Sequence, residues 1–158
     1  MMQPKGTFEI HRFNGVEIFR VSDALIMVYK DEDGVYVVNF EAETKGDAIA
    51  TLPDTQGLNG CPNAEVSVKI PEFHPDTMAG CDFAPLCDND MDGARFYYVE
   101  HDILRQARIT VLRQAGKRFH VRMSGMATDV NHYDGSKPDA RIEIDARFEF
   151  KDYLKWKL

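Results

Sequence analysis

The sequence predicts an all-β fold, an antiparallel β-sandwich of roughly nine to ten strands, with a closed calyx-like barrel as the alternative. Three observations point there. Apolar and polar side chains alternate along extended segments, turn dipeptides separate those segments, and helical spacing never runs beyond one turn. A segment of period two buries one face and wets the other, so it needs a second layer or a closed cylinder to cover its apolar side.

In chain order, TFEIHRF and VEIFRVS flank Asn14-Gly15, the dipeptide that best tolerates the positive φ angles of a type I′ hairpin. Folding about it sets Phe8 opposite Val21, Ile10 opposite Phe19 and Arg12 opposite Glu17 on one face. Glu9 and Arg20 meet on the other. ALIMVYK and VYVVNFEAE flank DEDG, where a two-residue or a four-residue loop would serve and the register stays open. AEVSVKI at 64–70 and RFYYVEH at 95–101 read as further strands, with Tyr97 and Tyr98 on opposite faces. HDILRQ, with Asp102 as its cap, is the one place for a helical turn.

RITVLR and RFHVRM flank QAG. Gly116 there can take the αL position of a three-residue loop, aligning Val111 with Phe119 and Ile109 with Val121. ARIEIDARFEF closes the series most clearly, with Ile142, Ile144, Ala146, Phe148 and Phe150 on one side and Arg141, Glu143, Asp145, Arg147 and Glu149 on the other. The apolar series resumes at Leu154, Trp156 and Leu158, which predicts a bend or bulge near Asp152.

Residues 53–93 break the hairpin rhythm. They hold Pro53, Pro62, Pro71, Pro75 and Pro85, all three cysteines and the run DNDMDG, with one convincing strand among them. Long irregular connections in compact domains are uncommon and often functional, so a site is expected here first.

Asp88, Asp90 and Asp92 followed by Gly93 could aim several carboxylates at one calcium ion. The likeness to an EF-hand loop is partial, because the twelfth position is Val99 and Glu100 comes one residue late. Remaining oxygens would have to come from Asp82, Asp31 and Asp33, or from Asp129, Asp134 and Asp139. The plainer expectation is an acidic hairpin-type turn like Asp33-Gly34 and Asp134-Gly135.

Cys61, His74, Cys81 and Cys87 are a weaker zinc alternative, since their spacing lacks the close ligand pairs of structural zinc sites. Cys87 precedes Asp88, whose charge disfavours a nucleophilic thiolate. In DVNHYDGSKPD at 129–139, His132, Tyr133 and Asp134 beside Asp129 form the expected lip of a ligand groove, against the plain alternative of an Asx-rich turn.

A chain of 158 residues, 44% hydrophobic and 28% charged, suits one all-β domain over residues 1–158. The longest apolar run, ALIMVY, is far short of the roughly 20 residues of a membrane-crossing helix, and MMQPKGT has no signal-peptide core. An odd cysteine count fits a reducing compartment, so cytoplasm is the expected location.

Nineteen basic against twenty-six acidic residues leave a net charge of −7, which argues against nucleic acid or an anionic membrane as partner. The basic run Arg105, Arg108, Arg113, Lys117, Arg118 and Arg122 reads as a solvated sheet face. The expected function is a non-enzymatic binding or scaffolding module for a protein or small molecule, with calcium at the 88–93 loop as its candidate stabiliser and an edge strand available for a homodimer. Two alternatives are a carrier of an apolar ligand inside a barrel, and a metal-dependent hydrolase using the acidic loops with His74, His101 or His132.

Overall fold

The computed structural model describes residues 5–58, 60–70, 78–85 and 90–151. Ten strands follow one another as β1 (Gly6–Arg12), β2 (Gly15–Lys30), β3 (Tyr36–Ala50), β4 (Asn63–Ile70), β5 (Asp82–Phe83), β6 (Ala94–Tyr98), β7 (Glu100–Ile103), β8 (Arg105–Ala115), β9 (Arg118–Ala127) and β10 (Ala140–Phe150). Among the described residues, a single 3-10 turn covers Pro53–Thr55. Where a helical turn was expected at HDILRQ, β7 ends and β8 begins, and the Asp102 carboxylate accepts from Ile103 N at 2.8 Å without capping a helix. No described helix is long and apolar enough to cross a membrane.

The strands form one sheet in the order β5-β8-β9-β10-β1-β2-β3-β4-β6-β7. β7 is therefore one edge of the sheet and β8 stands next to the other edge, although Leu104 alone joins them along the chain. The sheet must bend over on itself to allow this, yet it does not close. Rings from strands that are not neighbours meet across the interior. Phe8 of β1 lies 6.1 Å from Phe96 of β6, and Phe40 of β3 lies 6.0 Å from Phe148 of β10. The fold is an antiparallel sandwich whose two layers belong to one bent sheet.

β2 does much of the bending. Its register against β3 shifts between Ile18 and Asp23, and β-bulges add local twist. Beyond the start of β1, the end of β10 reaches β2 directly and pairs with it in parallel, Glu149 with Leu25 and Phe150 with Ile26.

Face assignments made from periodicity hold. Ile142, Ile144, Ala146, Phe148 and Phe150 are all buried, as are Phe8, Ile10, Phe19 and Val21. Two expected registers do not. β1 meets β2 with Phe8 opposite Phe19, Ile10 opposite Glu17 and Arg12 opposite Gly15. The turn is Phe13-Asn14, and Gly15 carries the positive φ of 145° as the first paired residue. A Cβ on Gly15 would lie 2.7 Å from Leu52 Cδ2, so a glycine there lets the next loop dock. β8 meets β9 with Val111 opposite Val121 and Ile109 opposite Met123, because the turn is Gly116-Lys117 and a bulge lies between Val111 and Arg113. Both corrections move partners by two places, which keeps every side chain on its own face.

The interior is filled by Phe8, Phe40, Phe119, Phe148, Ile10, Ile26 and their neighbours. The bend expected near Asp152, with Leu154, Trp156 and Leu158, lies outside the described residues.

On the outer face, Glu41 of β3 pairs with Glu65 of β4. A hydrogen bond shared with Glu43, then burial and the charges of Glu43 and Glu65, push Glu41 up from 4.5 to about 7 against the pull of Arg95. Its folded form thus holds a proton that the unfolded chain releases earlier. Stability contributed by this group is present below pH 4.5 and falls as pH rises to about 7. Glu41→Gln is expected to flatten that part of the profile, seen as a smaller fall in urea midpoint between those two pH values.

Candidate functional site

The registers gather four connections at one end of the sandwich: the Phe13-Asn14 turn, the segment from Thr51 to Pro62, the turn at Val99, and residues 128–139. Arg12 and Glu17 occupy the last inward positions of β1 and β2, continuing the Phe8, Ile10 and Val21, Phe19 series. Charge therefore sits where the sheet pattern calls for apolar side chains. Arg12, Glu17, Thr55 and Asp129 are all buried.

Arg12 is the hub. Its Nε and Nη2 donate to Asp129 Oδ1 and Oδ2 at 2.7 and 3.0 Å, and its Nη1 and Nη2 donate to Asp54 Oδ1 and Oδ2 at 2.8 and 2.7 Å. One planar guanidinium thus forks onto two carboxylates from two loops, a geometry lysine cannot copy. Glu17 Oε2 lies 3.7 Å from Arg12 Nη1 and has no hydrogen-bond partner. Its Oε1 accepts from Thr55 Oγ1 and from Tyr98 OH, the latter at 3.1 Å. Asn131 Nδ2 donates to Asp54 O at 2.9 Å, and His132 Nδ1 lies 2.8 Å from Asp129 Oδ2.

Burial pushes the Asp129 carboxyl up, but the bonds from Arg12 and His132 outweigh it and hold the group below the ordinary carboxylate range. Arg12 holds Asp54 well below that range too, helped by Asn131 and Asn14. Burial would lower Arg12, yet its carboxylate partners leave it raised. Tyr98 is raised by burial and by the neighbouring Glu17 charge. Tyr133 is pushed up to about 12, chiefly by burial and then by Glu100.

Around this ionic hub several apolar side chains reach the surface among polar ones. Phe13 is 44% exposed, Tyr133 and Val99 39%, and Leu58 36%. The Phe13 ring stands edge-on to His132 at 5.4 Å, with Lys137 Nζ 5.0 Å from its centroid. Tyr133 OH donates to Tyr98 O at 2.8 Å, next to Val99. Val99 is the one residue between the paired Tyr98 and Glu100, and its φ is +69°. A β-branched residue in that region is strained. Val99→Gly is expected to stabilise the fold by about 1 kcal/mol, read as a higher urea midpoint at unchanged slope.

Comparison with protein-family models, curated proteins and solved structures finds no match. The site is therefore read from its own chemistry.

Of the residues expected from sequence, His132, Tyr133 and Asp134 lie on the 128–139 connection at this end. His132 and Tyr133 are tied to Asp129 and Tyr98, while Asp134 Oδ1 accepts from Ser136 N at 3.0 Å in an Asx turn. Asp90 and Asp92 lie at the other end, where Gly93 O accepts from Ser67 N of β4. Asp90 Oδ1 accepts from Asp92 N at 2.8 Å, the same local turn that Asp31 makes with Asp33 and Val35.

Of the loops expected to complete a calcium shell, that of Asp31 and Asp33 shares this end, and Asp129, Asp134 and Asp139 lie at the opposite one. Asp88 falls outside the described residues. For the zinc set, Cys61 Sγ lies close to Gly46 of β3, and Cys81 O accepts from Val111 N of β8. His74 and Cys87 fall outside the described residues.

Sequence reasoning missed Arg12, Glu17, Asp54, Thr55 and Tyr98 as parts of one site. The available signal was an arginine and a glutamate both on the apolar side of the first hairpin, since a buried charge is seldom left without a partner.

Proposed function

We propose that the chain is a non-enzymatic binding module and that the loop-bearing end of the sandwich is the surface it offers to a protein partner. The observation that carries this reading is the pairing of exposed Phe13, Leu58, Val99 and Tyr133 with a buried hub that pins the segments presenting them. Aromatic and aliphatic anchors on a fixed frame lose little conformational freedom on binding, so more of their contact energy appears as affinity.

The carrier alternative needs open interior volume, and the many buried phenylalanine and branched aliphatic side chains favour a packed core over a ligand cavity. The hydrolase alternative needs acidic and histidine groups free to act together. Here Asp129 is already bound by Arg12 and His132, and His101 lies 4.8 Å from the Tyr97 ring.

The test is photo-crosslinking in cells from position 13, followed by affinity measurement on each purified partner. A Phe13→Ser, Leu58→Ser double variant with unchanged melting temperature is expected to weaken binding by at least about tenfold. Partners that bind both proteins alike would remove the proposal. Sedimentation of the purified chain shows whether the partner is a second copy.

A calcium ion at Asp88, Asp90 and Asp92 belongs to this reading only as a brace for the other end. A rise in melting temperature with millimolar calcium that Asp92→Asn abolishes supports it, and an unchanged melt removes it.

A further inference from the structure

We propose that Glu9, His11 and Glu143 form a binding site for a divalent first-row metal ion on the outer face of the sheet. Glu9 of β1 and Glu143 of β10 are paired directly across the two strands. Like charges in that relation destabilise a sheet unless something of opposite sign lies between them. His11 follows Glu9 by two residues and so shares its face. Its Nε2 is 2.8 Å from Glu9 Oε1 and 3.3 Å from Glu143 Oε2.

The 3.3 Å separation matches that around a metal, and the 2.8 Å one is a hydrogen bond that a bound ion would replace. An ion bound at about 2.0–2.2 Å by imidazole nitrogen and carboxylate oxygen holds adjacent donor atoms roughly 3.0–3.5 Å apart. All three donor atoms here lie within 4.8 Å of one another. Arg141 donates from Nε to Glu143 Oε1 at 3.0 Å, which leaves Oε2 turned toward the histidine ring. With a metal on Nε2, the ring proton resides on Nδ1, so the 3.5 Å contact from Arg141 Nη2 to that atom is given up while Arg141 Nε keeps its hold on Glu143 Oε1.

The donors are accessible, with side-chain exposures of 25% for His11, 33% for Glu9 and 45% for Glu143. They stand on two central strands, a rigid mount for a small site. Beside them a groove of about 410 Å³ is lined by Glu9 and Glu143 together with Thr7, Thr110, Arg122 and Ser124. Three protein donors leave one or more coordination positions for water or a small ligand entering from that groove. One imidazole with two carboxylates suits zinc, manganese or iron(II) better than calcium, which prefers oxygen alone.

The site is independent of the Arg12 hub, so either can fail without the other. The test is titration of the metal-free full chain with cobalt(II), followed by visible absorption and calorimetry. Expected are one saturable site, d–d bands without the sulfur-to-metal charge-transfer band of a cysteine site, and affinity at least about tenfold lower in both His11→Ala and Glu143→Gln. A Glu9→Gln, Glu143→Gln variant should melt higher than the parent without metal and gain nothing from cobalt. Absence of saturable uptake, a cysteine-type spectrum, or equal affinity in all variants overturns the proposal.

Discussion

Arg12→Met is expected to destabilise the protein by about 3–5 kcal/mol, measured as urea unfolding at neutral pH. The loss comes less from the missing attraction than from what stays behind. Asp129 and Glu17 have fully buried side chains, and without the guanidinium Glu17 loses its cation while Asp129 keeps only His132 to offset its desolvation. Arg12→Lys should recover only part of this, because one ammonium cannot span Asp54 and Asp129 with four hydrogen bonds.

Glu17→Gln should cost much less than Arg12→Met, since the amide still accepts from Thr55 and Tyr98. The same pairing sets an acid dependence. Asp54 and Asp129 titrate below their unfolded values, so their stabilisation is complete above the ordinary aspartate range and is lost as pH falls through the lowered folded values. Arg12→Met should flatten that acid limb. An acid limb as steep as the parent's would show that the hub does not hold the loops.

Leu104→Ala is expected to cost about 2–5 kcal/mol. Leu104 is buried, its N–H donates to Ala94 O at 3.1 Å, and it is the single residue between edge strand β7 and β8 on the far side of the sheet. Its side chain lies over Gly125 of β9, where an added Cβ would come within 2.4 Å of Leu104 Cγ. Gly125→Ala alone should therefore destabilise by about 1–3 kcal/mol through overpacking. Combined with Leu104→Ala it should cost little more than Leu104→Ala does, because the obstructing side chain is gone. Strict additivity in the double-mutant cycle would contradict the contact.

Alternation made the faces legible, and turn chemistry did not make the partners legible. Ile142 through Phe150 point inward because period two alone decides it. The partner of Ile10 depends on whether Asn14-Gly15 is the turn or Gly15 is its first paired neighbour, and the docking of Leu52 settles that from far along the chain. The site shows the same division. His132 and Asp129 were visible together in one polar connection, and Arg12 and Glu17 both fell on the apolar side of a hairpin. Nothing local joins Arg12 to Asp129 or Glu9 to Glu143. Those meetings follow from the pairing of β1 with β10, whose residues His11 and Arg141 are 130 positions apart.

That pairing bears on how the chain acquires its shape. β10, the last described strand to be synthesised, fits into the middle of the sheet between β9 and β1. Until it arrives, β1 presents an unsatisfied row of backbone donors and acceptors, and the two halves of the sheet have no hydrogen-bonded seam. Such long-range closure carries a large loop-entropy cost and slows assembly. A nascent or truncated chain ending before Ala140 is exposed to strand exchange and aggregation in a way the finished molecule is not.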